Sequence, residues 1–90
     1  MRTYEITETD LQATMPDVFR IVLGWCEDSE EATNHIVMCL ENYVYDLEGG
    51  CSPFAAFDEL CYEIGVEADY LDEIYMAVCQ LDLLGEEAEL

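Results

Sequence analysis

The sequence predicts an all-α protein, a small bundle of four to five helices, and three observations lead there. Apolar residues recur at spacings of three and four over long stretches, as in Ile36, Leu40, Tyr43 and Leu47, which is the period of a helix with one buried face. Residues that start and stop helices punctuate the chain about one helix length apart. Nowhere does a period of two persist with β-branched enrichment; a short hairpin from "RTYEIT" near the N-terminus is the one extended alternative.

Each element has its own signals. "TETD", residues 7 to 10, fits a capping box from Thr7 to Asp10 that opens a brief helix carrying Leu11 and Met15. The next start is "TMPD", with Thr14 as cap, Pro16 in the first turn and Asp17 three residues after the cap. "DVFRIVLGWCE" is apolar on nearly every face, the pattern of a central, buried helix, and it ends in the acidic run Glu27, Asp28, Glu30 and Glu31. Ser29 is placed to cap the long third helix, whose stripe from Ile36 to Leu47 is broadened by Val37 and Val44 and stopped by Gly49 and Gly50.

Ser52 followed by Pro53 opens the fourth helix, with Phe54, Phe57, Leu60, Cys61 and Ile64 as its core face and Gly65 at its end. Asp69 can cap a last helix that turns Leu71, Ile74, Val78 and Leu81 inward, and Gly85 closes it. Residues 1–85 are thus expected to form one helical domain, and 86–90, "EEAEL", a mobile acidic tail.

Composition restricts function more sharply than it restricts fold. Apolar residues make up 52% of the 90, enough for a single core, while 22 Asp and Glu oppose 2 Lys and Arg for a formal net charge of −20. Proteins that grip nucleic acid displace counterions from phosphates with Lys and Arg, and this chain offers Arg2 and Arg20. Direct binding to DNA or RNA is excluded on that ground, as is docking on an anionic membrane. No apolar run approaches the ~18 residues of a transmembrane span, and the N-terminus lacks a signal peptide's apolar stretch, so the expected location is cytoplasmic.

The residues that usually carry chemistry are sparse or scattered. Cys26, Cys39, Cys51, Cys61 and Cys79 form no Cys-x-x-Cys pair, and their odd number fits neither a disulfide framework nor a zinc site. Most are expected as small core residues, with Cys51 in a loop the exception. His35 is the one histidine, and no nucleophile or paired acid stands out beside it, so no catalytic residue is expected. "DLEGGCSPFAAF", residues 46 to 57, is the one loop to test against the calcium-binding pattern, and it ends in Phe57 where a bidentate Glu belongs; no metal or cofactor is expected. Arg20 should reach the surface and pair with nearby acids, while Trp25, Met38, Met76 and the Phe residues are expected in the core.

One stretch, "FDELCYEIGVEADYLDEIY", residues 57 to 75, combines a familiar apolar skeleton with an unfamiliar charge. Leu60, Cys61, Ile64, Gly65, Val66, Leu71 and Ile74 stand at the offsets where the helix-turn-helix family has its aliphatic, small and turn-glycine positions, and over this fifth of the chain the sequence resembles that family. The resemblance implies two helices meeting at a glycine turn. The face that would read DNA, however, carries Asp58, Glu59, Glu63, Glu67, Asp69, Asp72 and Glu73, seven acids in 16 residues with no base among them. DNA reading is therefore not carried over.

Acids in this density can themselves form a recognition surface. Carboxylates three or four residues apart on a helix lie about 5–6 Å from one another, similar to successive phosphates along a strand. In size and acidity the chain is similar to the nucleic-acid-mimicking inhibitors of phages and mobile elements, the anti-CRISPR and anti-restriction class. That resemblance of composition implies a decoy acting in a bacterial host cell on a protein with a cationic nucleic-acid-binding groove. Its candidate surface is Asp58, Glu59, Glu63, Glu67, Asp69, Tyr70, Asp72 and Glu73, with Glu27, Asp28, Glu30 and Glu31 as a second patch and Tyr43, Tyr45, Tyr62 and Tyr75 as possible aromatic anchors. The alternative is an acidic docking module that binds a basic protein or transcription factor without imitating DNA. Apolar residues beyond one stripe in 17–26 and 36–47 also leave room for a homodimer.

Overall fold

Thr7 opens the first helix as its sequence requires: its hydroxyl accepts from the Asp10 N–H at 3.3 Å, and the Asp10 carboxylate accepts from the Thr7 N–H at 3.0 Å. The computed structural model describes residues 6–81, and from that cap onward they form five α-helices and no strand. These are α1 (Glu8–Thr14), α2 (Pro16–Trp25), α3 (Ser29–Glu48), α4 (Pro53–Ile64) and α5 (Leu71–Gln80), with a 3-10 turn at Ala68–Tyr70 leading into α5. Most of the "RTYEIT" hairpin alternative, the Gly85 stop and the 86–90 tail lie outside the described residues.

The core is one cluster to which every helix contributes. Leu11 and Met15, Val18 and Val22, Ile36, Leu40 and Tyr43, Leu60 and Ile64, and Ile74 and Val78 are all essentially inaccessible to solvent. α3 and α4 form the closest helix pair; the four-residue connection between them, with Gly50 at φ 99°, makes them antiparallel. α2 packs on α3, and α1 on α2, α3 and α5. The Tyr43 ring meets Phe57 edge-on at 6.5 Å, and Phe57 meets Tyr75 in the same way at 5.8 Å, so three aromatics link α3, α4 and α5.

Several helix starts differ from the sequence expectation, each for a local reason. Thr14 does not cap α2: it is the last residue of α1, where its hydroxyl donates to the Asp10 carbonyl at 2.8 Å. Met15 takes the cap position and offers no side-chain acceptor. Pro16 has no N–H, which leaves the Asp17 and Val18 N–H groups as the first donors to satisfy. The Glu73 carboxylate, from the first turn of α5, accepts both, at 2.8 and 3.2 Å.

One acid thus caps a helix 55 residues away in sequence. Glu73→Ala should cost about 1–2 kcal/mol in chemical denaturation, because it strands two backbone donors and removes an anion from the positive end of α2. Glu73→Gln, which keeps one acceptor oxygen, should cost less than half as much.

Ser29 likewise is the first residue of α3 and not its cap. Asp28 has that role, its carboxylate accepting from the Glu31 N–H at 2.9 Å, while Glu31 accepts from the Glu27 N–H at 2.8 Å. Asp69 lies inside the 3-10 turn and makes no cap, and Tyr70 occupies the cap position of α5 without a side-chain bond. Ser52 does cap α4, accepting from the Ala55 N–H at 3.1 Å, and Gly65 ends it with φ 92°, the left-handed conformation that glycine adopts without steric cost.

The expected core also needs correction. α2 is not buried on every face: Val18, Phe19 and Val22 point inward, whereas Trp25 is 57% exposed. Phe54, Met38, Met76 and Leu71 were also expected inside and stand at the surface. Ala32, Ala56 and Ala77 take inward positions instead, where small side chains let helices approach closely.

Candidate functional site

The acidic surface begins at the end of the bundle where α2 finishes and α3 starts. The Trp25 ring leans over the glycine turn after α4, about 3.5 Å from where a Cβ on Gly65 would stand. That contact brings the 27–31 run and the Gly65–Glu67 turn to the same end of the molecule. From there the chain follows α2 back towards its N-terminus, reaching it where Glu73 caps Asp17 and Val18.

Among the predicted surface residues the structure separates those with free carboxylates from those already engaged. Asp58, Glu59, Glu67, Asp69 and Asp72 are exposed and accept no hydrogen bond from the described residues. Glu63 is half-buried between α3 and α4, accepting from the Asn42 amide at 3.4 Å. Glu73 serves the α2 cap, and Tyr70 packs against the core instead of standing out as an anchor. In the second patch Glu27, Asp28, Glu30 and Glu31 are all exposed, with Asp28 and Glu31 also holding the start of α3.

Residues 57–75 run through the end of α4, the Gly65 turn and the start of α5. Helix, left-handed glycine and helix follow one another, and Leu60, Cys61, Ile64 and Ile74 are buried. Yet α4 packs mainly on α3, and α5 on α1 and α2, with little close backbone approach between α4 and α5 themselves. Leu71, 36% exposed, does not lock that pair together.

Little positive charge opposes the acids. Arg20 pairs with Asp17 at 3.4 Å, both side chains largely in water, and it is the one Lys or Arg among the described residues. Such a pair contributes little to stability. The negative field also reaches partly buried groups. Burial first, and then Glu63, pushes the Cys39 thiol up to about 11, and burial with Asp58 does the same for Cys61. Cys26 is raised by desolvation and then by Glu31 and Asp28, and Tyr43 chiefly by burial.

These shifts have a defined sign. Thiols harder to ionise in the fold than in the unfolded chain contribute stability that is present below pH 9.0 and lost as pH rises through about 11. Thermal melts should therefore fall by roughly 15 °C or more between pH 8 and pH 10.5, on the order of 2 kcal/mol for each thiol, with a shallower fall in a Cys39→Ala/Cys61→Ala variant. Only two of the five cysteines are core residues as expected; Cys51 and Cys79 are exposed and should react first with a thiol reagent.

Exposed aromatic and thioether side chains are the part of the surface that the sequence reading understated. Tyr45 is 74% exposed, Phe54 84% and Tyr62 82%, with Met38, Tyr75 and Met76 about half exposed. Acids stand one helical turn from most of them: Glu41 beside Met38 and Tyr45, Asp58 between Phe54 and Tyr62, Asp72 beside Tyr75 and Met76. Tyr43, by contrast, is a core residue. Among the described residues no three His, Cys, Asp or Glu side chains converge as a metal site, and the closest approach to a reactive pair, His35 Nε2 to Cys39 Sγ, is 4.0 Å. No helix of the described residues is long and apolar enough to cross a membrane. No family model, curated protein or solved structure matches the chain.

Proposed function

We propose that this chain is a nucleic-acid mimic that binds and inhibits a nucleic-acid-binding protein or complex, in the manner of anti-CRISPR and anti-restriction inhibitors. The observation that carries this reading is the linear density of charge. Seventeen carboxylates of the described residues stand against Arg20, and the long axis is 38 Å, so one net negative charge falls about every 2.4 Å. Duplex DNA carries one about every 1.7 Å, counting both strands. The other two extents are 26 and 19 Å.

Mimicry of this kind needs carboxylates held on a rigid frame. Asp58, Glu59, Glu67, Asp69 and Asp72 project from helices or tight turns anchored by buried Leu60, Ile64 and Ile74. A target's phosphate-binding Arg and Lys would meet them at an electrostatically enhanced rate. The chain itself acts in this scheme without catalysis, metal or cofactor.

A second reading, a docking module that binds a basic protein without occupying its nucleic-acid site, is favoured by the exposed aromatics Tyr45, Phe54 and Tyr62. Capture from a bacterial lysate at low and at about 0.5 M salt, followed by competition with duplex DNA and guide RNA, separates the two. Displacement by nucleic acid is the result expected of a mimic. A partner retained in high salt and indifferent to nucleic acid would establish docking instead.

A further inference from the structure

Phe54 and Tyr62 are the most exposed large apolar side chains among the described residues, 84% and 82% accessible, and Asp58 lies midway between them on α4. Ala56, Leu60 and Ile64 fix the helix's register by facing the core, so residues 54, 58 and 62 must face away from it. Fourth residues on one helix face stand about 5–6 Å apart. The Asp58 carboxylate is thus flanked by an aromatic ring on either side, and Glu59 adds a second carboxylate beside Tyr62.

A bare carboxylate attracts any cation, but one set between aromatic rings discriminates. A guanidinium is planar, can fork onto the carboxylate through two N–H groups and can lie flat against a ring. An ammonium is compact and more strongly hydrated, and it gains less from either contact. We infer that the Phe54–Asp58–Tyr62 face of α4 docks an arginine, and that the partner's cationic surface is read as arginine-rich rather than lysine-rich. This rests on the proposed function and names the chemistry of its partner.

Charge complementarity selects this occupant over the others. A second copy of the chain offers one described cation, Arg20, which already faces Asp17. An apolar helix laid on the same face would bury Asp58 without a counter-charge. A nucleic-acid base could stack on the rings, but its phosphates would meet the surrounding acids.

The test is an anisotropy titration at about 0.15 M salt with two labelled peptides of equal length and charge, one of alternating Gly and Arg, the other of alternating Gly and Lys. The native chain should bind the arginine peptide about tenfold more tightly. Phe54→Ala/Tyr62→Ala should remove most of that preference and leave lysine binding unchanged. Asp58→Asn should weaken arginine binding more than lysine binding. All three substitutions are at exposed positions, and circular dichroism checks that the fold persists.

Equal affinity of the native chain for the two peptides would overturn the inference, as would a preference undiminished by loss of both rings. Nucleic-acid competition at the captured partner is a separate readout. Competition without arginine preference removes this inference and keeps mimicry; arginine preference without competition does the reverse.

Discussion

A chain carrying Glu59→Lys, Asp69→Lys and Asp72→Lys should bind its partner at least about 100-fold more weakly while keeping its helicity. All three side chains are exposed and accept no hydrogen bond from the described residues, so the fold does not depend on them. Each reversal replaces an attraction to the partner's cations with a repulsion, and close charge pairs across interfaces are coupled by about 1.5 kcal/mol or more. Net charge moves from −20 by six units to −14, and the relief of self-repulsion offsets the loss of Asp72 as an anion in the first turn of α5, so the melting temperature should change little. Calorimetric titration at low salt gives the affinity and circular dichroism the stability. Unchanged affinity in a folded variant would remove these acids from the interface. Glu73 is left out of the set because its reversal would also break the α2 cap.

The largest loss of stability is expected at Tyr43→Ala. Tyr43 is 2% exposed, lies on the middle helix of the bundle and starts the edge-to-face series through Phe57 to Tyr75. Removing a buried aromatic ring costs about 3–5 kcal/mol through lost transfer energy and the cavity left behind. Domains of this size have roughly 5–15 kcal/mol in total, and here mutual repulsion of the acids draws on it. Urea denaturation should show the variant partly or wholly unfolded at low salt and partly recovered at about 0.5 M salt, where repulsion is screened. Tyr43→Phe, which keeps the ring, should cost less than about 1.5 kcal/mol. A Tyr43→Ala chain as stable as the native one would contradict the assignment of the core.

How much was legible in the sequence depended on the range of the interaction involved. Helical periods and the local signals at Thr7, Ser52, Pro53 and Gly65 specify elements within one turn, and those elements appear where expected. The caps of α2 and α3 were misplaced for two different reasons. At α3 two adjacent residues, Asp28 and Ser29, could both serve, and the hydrogen-bond geometry selects Asp28. At α2 the capping group is Glu73, which no window around residue 16 contains.

The same limit explains the aromatics. Hydrophobicity placed Phe54 and Trp25 in the core, but Phe54 is two residues before Ala56, on the opposite side of α4, and Trp25 is the last residue of its helix. Asp58, four residues after Phe54 and four before Tyr62, was a readable sign that this face meets solvent. The density of acids was evident from composition alone; which carboxylates are free and which hold the fold together required the structure.

The central claim is that the partner reads this chain through the groups with which it reads phosphates. The most direct measurement substitutes Ala, one at a time, for the Arg and Lys residues in the captured partner's nucleic-acid groove, and determines the affinity of each variant for this chain and for its nucleic acid. Mimicry predicts that the two sets of losses rise and fall together across the groove, with both affinities declining as salt increases. Groove substitutions that weaken nucleic-acid binding and leave affinity for this chain intact would contradict the account.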